Sequence, residues 1–191
     1  MKRRYVGTMG TLISSFTLTG LALAATIALP SPRLAAADTK GTAATLSSAD
    51  KDFIMEAACG GMAAVALGEL AQQKGQSDAV RQFGKRMIDD HGKANNELKE
   101  LAGRKGVVVP AALKPKYQKL VDSLSKLSGA EFDKQYLREM VKDHESDVAA
   151  FQKEADKGKD AELTAWARQT LPTLQDHLKM ARDAETRVKG G

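Results

Sequence analysis

The chain has 191 residues, with 29 Lys plus Arg against 24 Asp plus Glu and a formal net charge of +5. Lys2, Arg3, Arg4 and Arg33 lie in the first 37 residues beside no acid, so beyond them Lys plus Arg falls from 29 to 25 and the net charge to +1. That balance, with no basic stripe, gives no support to a nucleic-acid partner. The single cysteine, Cys59, excludes an intramolecular disulfide.

In chain order, Lys2, Arg3 and Arg4 precede an uncharged run from Tyr5 to Leu29, and Ala35-Ala36-Ala37 offers a small-residue cleavage site before Asp38. Residues 1–37 therefore read as an export signal. Pro30 and Pro32 break the run, which favours cleavage over a permanent anchor and places the mature protein in the periplasm or at the outer membrane. Lys2 and Tyr5-Val6-Gly7 fit a twin-arginine signal poorly, so ordinary secretion is expected. No cysteine ends the apolar run to mark a lipid anchor. Residues 38–47 read as a flexible leader.

Residues 48–188 read as one all-α domain. Ser47 or Ser48 caps a first long helix running to about Gln73 and stopped at Gly75. Ser77 opens a second, which runs to about Arg104 and ends at Gly106. Val107-Val108-Val109-Pro110 is extended, and Pro115 opens a short amphipathic helix bearing Tyr117, Leu120, Val121 and Leu124. Ser128 with Glu131 suggests a capping box for the third long helix, to about Lys157. The fourth spans Asp160 to Val188 and contains Pro172, which predicts a bend, either on the solvent face or widening the bundle near His177. Two short loops and one long connection with its own helix predict a ferritin-like four-helix bundle whose crossover joins helices two and three.

The three histidines all fall on apolar faces. His91 belongs to the series Val80, Phe83, Met87, His91, Ala94, Leu98; His144 to Leu137, Met140, His144, Val148, Phe151; His177 to Leu163, Thr170, Leu174, His177, Ala181. An aspartate precedes each: Asp90, Asp143, Asp176. Counting ~1.5 Å per residue puts His91 and His144 near mid-bundle with His177 about a turn away, opposite Gly60-Gly61, which could leave room for the His91 ring. Glu56 falls level with Asn95 and Asp147, and Asp147 shares the His144 face.

Four stretches resemble a known family: Asp50–Ala58, Phe83–Asn95, Leu127–Asp133 and Leu171–His177. Together they are similar to an exported bacterial domain of unknown function, family 4142, whose members are often labelled predicted outer membrane proteins and which is placed among ferritin-like folds. The resemblance covers nearly all of 48–188. It implies the fold and export, and brings no established activity.

Three readings of the inward polar residues stand open. One is a hydrogen-bonded core that only fixes helix register. The second is a transition-metal site for Zn, Cu or Fe built from His91, His144 and His177 with Glu56 and Asp147. The third is small-ligand binding or pH sensing. Met87, Met140 and Met180 near the histidines suit either copper or ordinary core packing, and Cys59 reads as a small filler rather than a reactive thiol. A di-iron centre needs Glu-x-x-His on two helices, whereas Ile88, Val141 and Leu174 stand three before the histidines. No phosphate loop or hydrolase triad is visible. The expected function is an exported bundle binding a metal ion or small ligand, associated with the envelope and serving its maintenance or stress tolerance; the alternative is a non-catalytic structural or interaction module.

Overall fold

The computed structural model describes residues 46–190; the expected export signal, 1–37, and most of the leader lie outside the described residues. Five helices follow: α1 Ser48–Lys74, α2 Asp78–Arg104, α3 Pro115–Ser125, α4 Gly129–Lys157 and α5 Ala161–Gly190. The molecule is a ferritin-like four-helix bundle in which α1 packs on α2 and α4, and α5 on α4 and α2. Helix α3 lies in the crossover and packs on α1 and α4.

Polar contacts at each end set the topology. At one end the Lys159 amide donates to Asp50 Oδ1 at 3.1 Å, and Lys105 pairs with Asp160 at 2.8 Å. At the other, the Gln76 and Ser77 amides donate to the two carboxylate oxygens of buried Asp133 at 2.9 and 2.8 Å. Helix α4 thus starts where α1 turns into α2, and the crossover travels the length of the bundle. Every adjacent pair is antiparallel.

The caps follow the sequence except at α4. Ser47 Oγ accepts from the Asp50 amide and the Asp50 carboxylate accepts from the Ser47 amide, a reciprocal box worth about 1 kcal/mol. Ser77 caps α2 the same way through the Val80 amide, and Asp160 Oδ1 accepts from the Leu163 amide at the start of α5. The box expected of Ser128 and Glu131 does not form, because the Ser128 side chain makes no cap bond. There the chain enters through Gly129 at φ 62, a left-handed conformation that glycine adopts without Cβ strain.

Helices α1 and α2 approach closely where glycines face each other: a Cβ on Gly68 would lie 2.6 Å from the Gly84 carbonyl oxygen. The core then forms two apolar layers. One holds Ile54, Leu98, Leu101, Phe151, Leu163 and Leu174 among others; the second holds Leu67, Phe83, Met87, Tyr136, Met140 and Ala181. On three helices a histidine stands between them in sequence: His91 between Met87 and Leu98, His144 between Met140 and Phe151, His177 between Leu174 and Ala181. Between Ala58 and Leu67, α1 buries only Cys59, Gly60, Gly61, Ala63 and Ala64. A layer of rings can occupy that level because α1 sends no large side chain into it.

Candidate metal centre

His91, His144 and His177 converge from α2, α4 and α5, each offering a ring nitrogen within 4.8 Å of the others. Their ring centroids are 5.5, 5.3 and 5.4 Å apart, an almost equilateral triangle. His144 is 0% exposed, His177 1% and His91 5%, so bulk water does not solvate the cluster. The Phe83 ring lies edge-on to His144 and His177 at 6.2 and 6.5 Å.

Hydrogen bonds fix which nitrogens point inward. His144 Nδ1 lies 2.9 Å from the Met140 carbonyl, which can only accept, so this nitrogen carries the proton. His144 Nε2 is then a lone pair, and it faces His91 Nε2 at 3.4 Å. His177 Nε2 donates to Asp90 Oδ2 at 2.8 Å, leaving its Nδ1 buried and without a hydrogen-bond partner. Asp90 is also paired with Arg86. An imidazole whose outer N–H is held by a carbonyl or carboxylate while its inner nitrogen is bare is the arrangement of a metal-ligating histidine.

Burial keeps the rings uncharged. It lowers the His91 imidazole well below the usual range, with His144 and His177 adding to the effect, and brings His144 down to about 4 against the pull of the Met140 carbonyl. His177 is lowered too, first by burial, although Asp90 opposes it. All three are neutral bases at neutral pH, the form that binds metal. Nitrogens held ~2.0–2.1 Å from one ion stand roughly 3.3–3.6 Å apart in trigonal or tetrahedral geometry, and the His91–His144 separation already has that value.

The two carboxylates expected in the ligand set do not join it. Glu56 accepts from Lys114, Lys116 and, at 3.1 Å, the Tyr117 hydroxyl. Burial raises its pKa, but these three donors outweigh it and hold the carboxyl at about 2. Asp147 lines a cavity of about 510 Å³ with Glu56, Lys116, Tyr117 and Asp143, walled by α1, α3 and α4. Glu56 and Asp147 are thus level with each other, as counted, but turned away from the imidazoles. Burial and neighbouring carboxylates push Asp143 up to about 6 and Asp147 to about 8.

Other expectations are corrected similarly. Gly61 makes room not for the His91 ring but for Asn95, whose Oδ1 lies 2.0 Å from where a Gly61 Cβ would stand. Thr170 bonds back to the Trp166 carbonyl at 2.9 Å, and Pro172 stands exposed on the solvent face of α5. Asp90 was visible only as the residue before His91. Adjacent helix residues point ~100° apart; Asp90 therefore reaches toward α5, Asp143 by the same rotation toward the α1–α3 groove, and Asp176 into solvent.

The model of a family described as a domain of unknown function, DUF4142, matches residues 35–184. No curated protein is similar enough in sequence to count as a match. The fold is similar to the crystal structure of a DUF305 fragment from Deinococcus radiodurans, with TM-score 0.65 and 19% identity over 74% of this chain and 98% of that one. It is also similar to CopM in the Cu(I)-bound form, with TM-score 0.62 and 18% identity over 72% of this chain and 96% of that one.

Proposed function

The chain belongs to the DUF4142 family, and on that footing we propose that it is an exported envelope protein that binds a transition-metal ion through His91, His144 and His177. The observation that carries this reading is His177 Nδ1, a buried nitrogen with no partner, on a ring 5.3 and 5.4 Å from two other imidazoles whose charge burial disfavours. In a purely structural network that nitrogen is left unsatisfied, at a cost of about 1–3 kcal/mol; a bound ion removes the cost. The fold likeness to a protein seen with Cu(I) is in keeping with the proposal. The residues before the histidines do not supply di-iron ligands, so the role proposed is metal holding in envelope maintenance or stress tolerance, not oxygen activation.

Export rests on residues 1–37, and mass spectrometry of protein recovered from the envelope fraction should give a chain beginning at Asp38. Elemental analysis of the same material should give one transition-metal ion per chain. In the His144→Asn variant the ion should be absent, since an amide retains some hydrogen bonding but is a poor ligand for such ions. Metal-free wild type whose melting curve is unmoved by added ions would return the cluster to a structural role.

A further inference from the structure

The triad carries no ligand charge, and this bears on which ion it takes. A bare ion resists burial in proportion to the square of its charge, and protein sites meet that cost with anionic ligands or, where three neutral histidines hold zinc, with a bound water. Here the ligand set is three imidazoles, which hold an ion only through an uncharged nitrogen. Asp90, held on the outer nitrogen of His177, already shares its charge with Arg86. Glu56 is committed to two lysines. The Phe83 ring lies against His144 and His177, and Met87 and Met140, one helical turn before His91 and His144, are buried like it at 0–1% exposure.

Access of water points the same way. Zinc bound by three protein ligands completes a tetrahedron with water, and here the three rings are only 0–5% exposed. A d¹⁰ monovalent ion is satisfied by three donors in a triangle. Resting on the metal-site reading above, we infer that the triad selects monovalent over divalent ions, taking Cu(I) as its natural ion and Ag(I) as a redox-inert equivalent.

The test is an ion series on the metal-free full chain without oxygen. Cu(I) is measured against a chromophoric chelator, and Ag(I), Zn(II) and Co(II) by calorimetry. One Cu(I) or Ag(I) per chain should bind at least about a hundredfold more tightly than Zn(II) or Co(II), a difference well within what desolvating a second charge supplies. The His144→Asn chain should lose Ag(I) binding. Zn(II) or Co(II) binding at the triad as tightly as Ag(I) overturns the charge selection while leaving the metal site standing. Binding of no ion of either charge overturns the metal site itself, and Ag(I) binding that survives in His144→Asn overturns its assignment to these residues.

Discussion

Two polar clusters lie on either side of α4, and they resolve the cost of polarity in opposite ways. In the α1–α3–α4 groove, carboxylates from Glu56, Asp143 and Asp147 meet lysines, the Tyr117 hydroxyl and a solvent-open cavity. In the triad, neutral rings meet each other, and one nitrogen meets nothing. In the groove Glu56 is paired with two lysines and a hydroxyl and its neighbouring carboxyls are pushed toward the neutral form, whereas the triad leaves one buried nitrogen without a partner. Inward-facing polar residues are therefore a weak indicator of a site; a buried nitrogen left without a partner among clustered imidazoles is a stronger one.

The largest effect expected from this contrast is on metal-linked stability. An ion at 100 times its dissociation constant should stabilise wild type by about 2.7 kcal/mol by mass action. Thermal melts with and without ion should show this gain in wild type and none in His144→Asn. A Glu56→Gln chain, altered in the groove alone, should keep the whole gain; if it loses the gain, the two clusters are one site after all.

Next in size is the carboxylate that joins the triad to the surface. Asp90→Asn keeps the shape but can no longer hold His177 by a charged acceptor, and loss of such a partner lowers metal affinity by about 10–100-fold. Asp176→Asn, one residue before His177 and exposed, should leave affinity unchanged. Nitrogen chemical shifts of His177 should show its tautomer becoming mixed in Asp90→Asn only.

Most of the fold was legible from periodicity and punctuation. Ser47, Gly75, Ser77 and Pro115 mark element ends by their own local chemistry, and the long connection dictated the crossover. The three imidazoles were legible because an inward position on a helix is a matter of phase. Glu56 and Asp147 were misassigned because counting residues gives height along a bundle but not the direction faced. Lys114 and Lys116, which claim Glu56, arrive from the crossover, where no periodicity predicts a neighbour. The pairing of Asp90 with His177 rather than His91 needed the helix neighbours to be known.

A third expectation concerns pH, where the two clusters should pull oppositely. Folding lowers the triad pKa values, so the stability of the metal-free chain carried by neutral rings is present above the ordinary histidine range near 6.5. It is lost as pH falls toward about 4, the folded value for His144. In the groove the folded carboxyls are raised, so their contribution is present below about 3.8 and is lost as pH rises through about 6 for Asp143 and about 8 for Asp147. Denaturant melts from pH 4 to 9 should show the alkaline loss reduced in Asp147→Asn and the acid loss unchanged. An alkaline limb indifferent to this substitution would mean that folding does not raise the Asp147 carboxyl as described.

The smallest expected effect is the stability change of Glu56→Gln itself. Its carboxylate is about half exposed, with a side-chain exposure of 46%, and Lys114 and Lys116 are exposed by 38% and 59%. Solvent screens such pairs, which are typically worth about 0.2–1 kcal/mol, and the amide can still accept from Tyr117. A loss under about 1 kcal/mol is therefore expected, growing smaller in high salt as screening weakens what remains of the wild-type advantage. The triad offers the opposite case: His144 is fully buried, and its replacement leaves the facing His91 nitrogen without its neighbour in a place salt does not reach. Denaturant melts of the metal-free chains at low and high salt should thus give a salt-dependent difference for Glu56→Gln and a salt-independent one for His144→Asn. Salt sensitivity of equal size in both would mean that water and ions enter the triad as freely as they enter the groove.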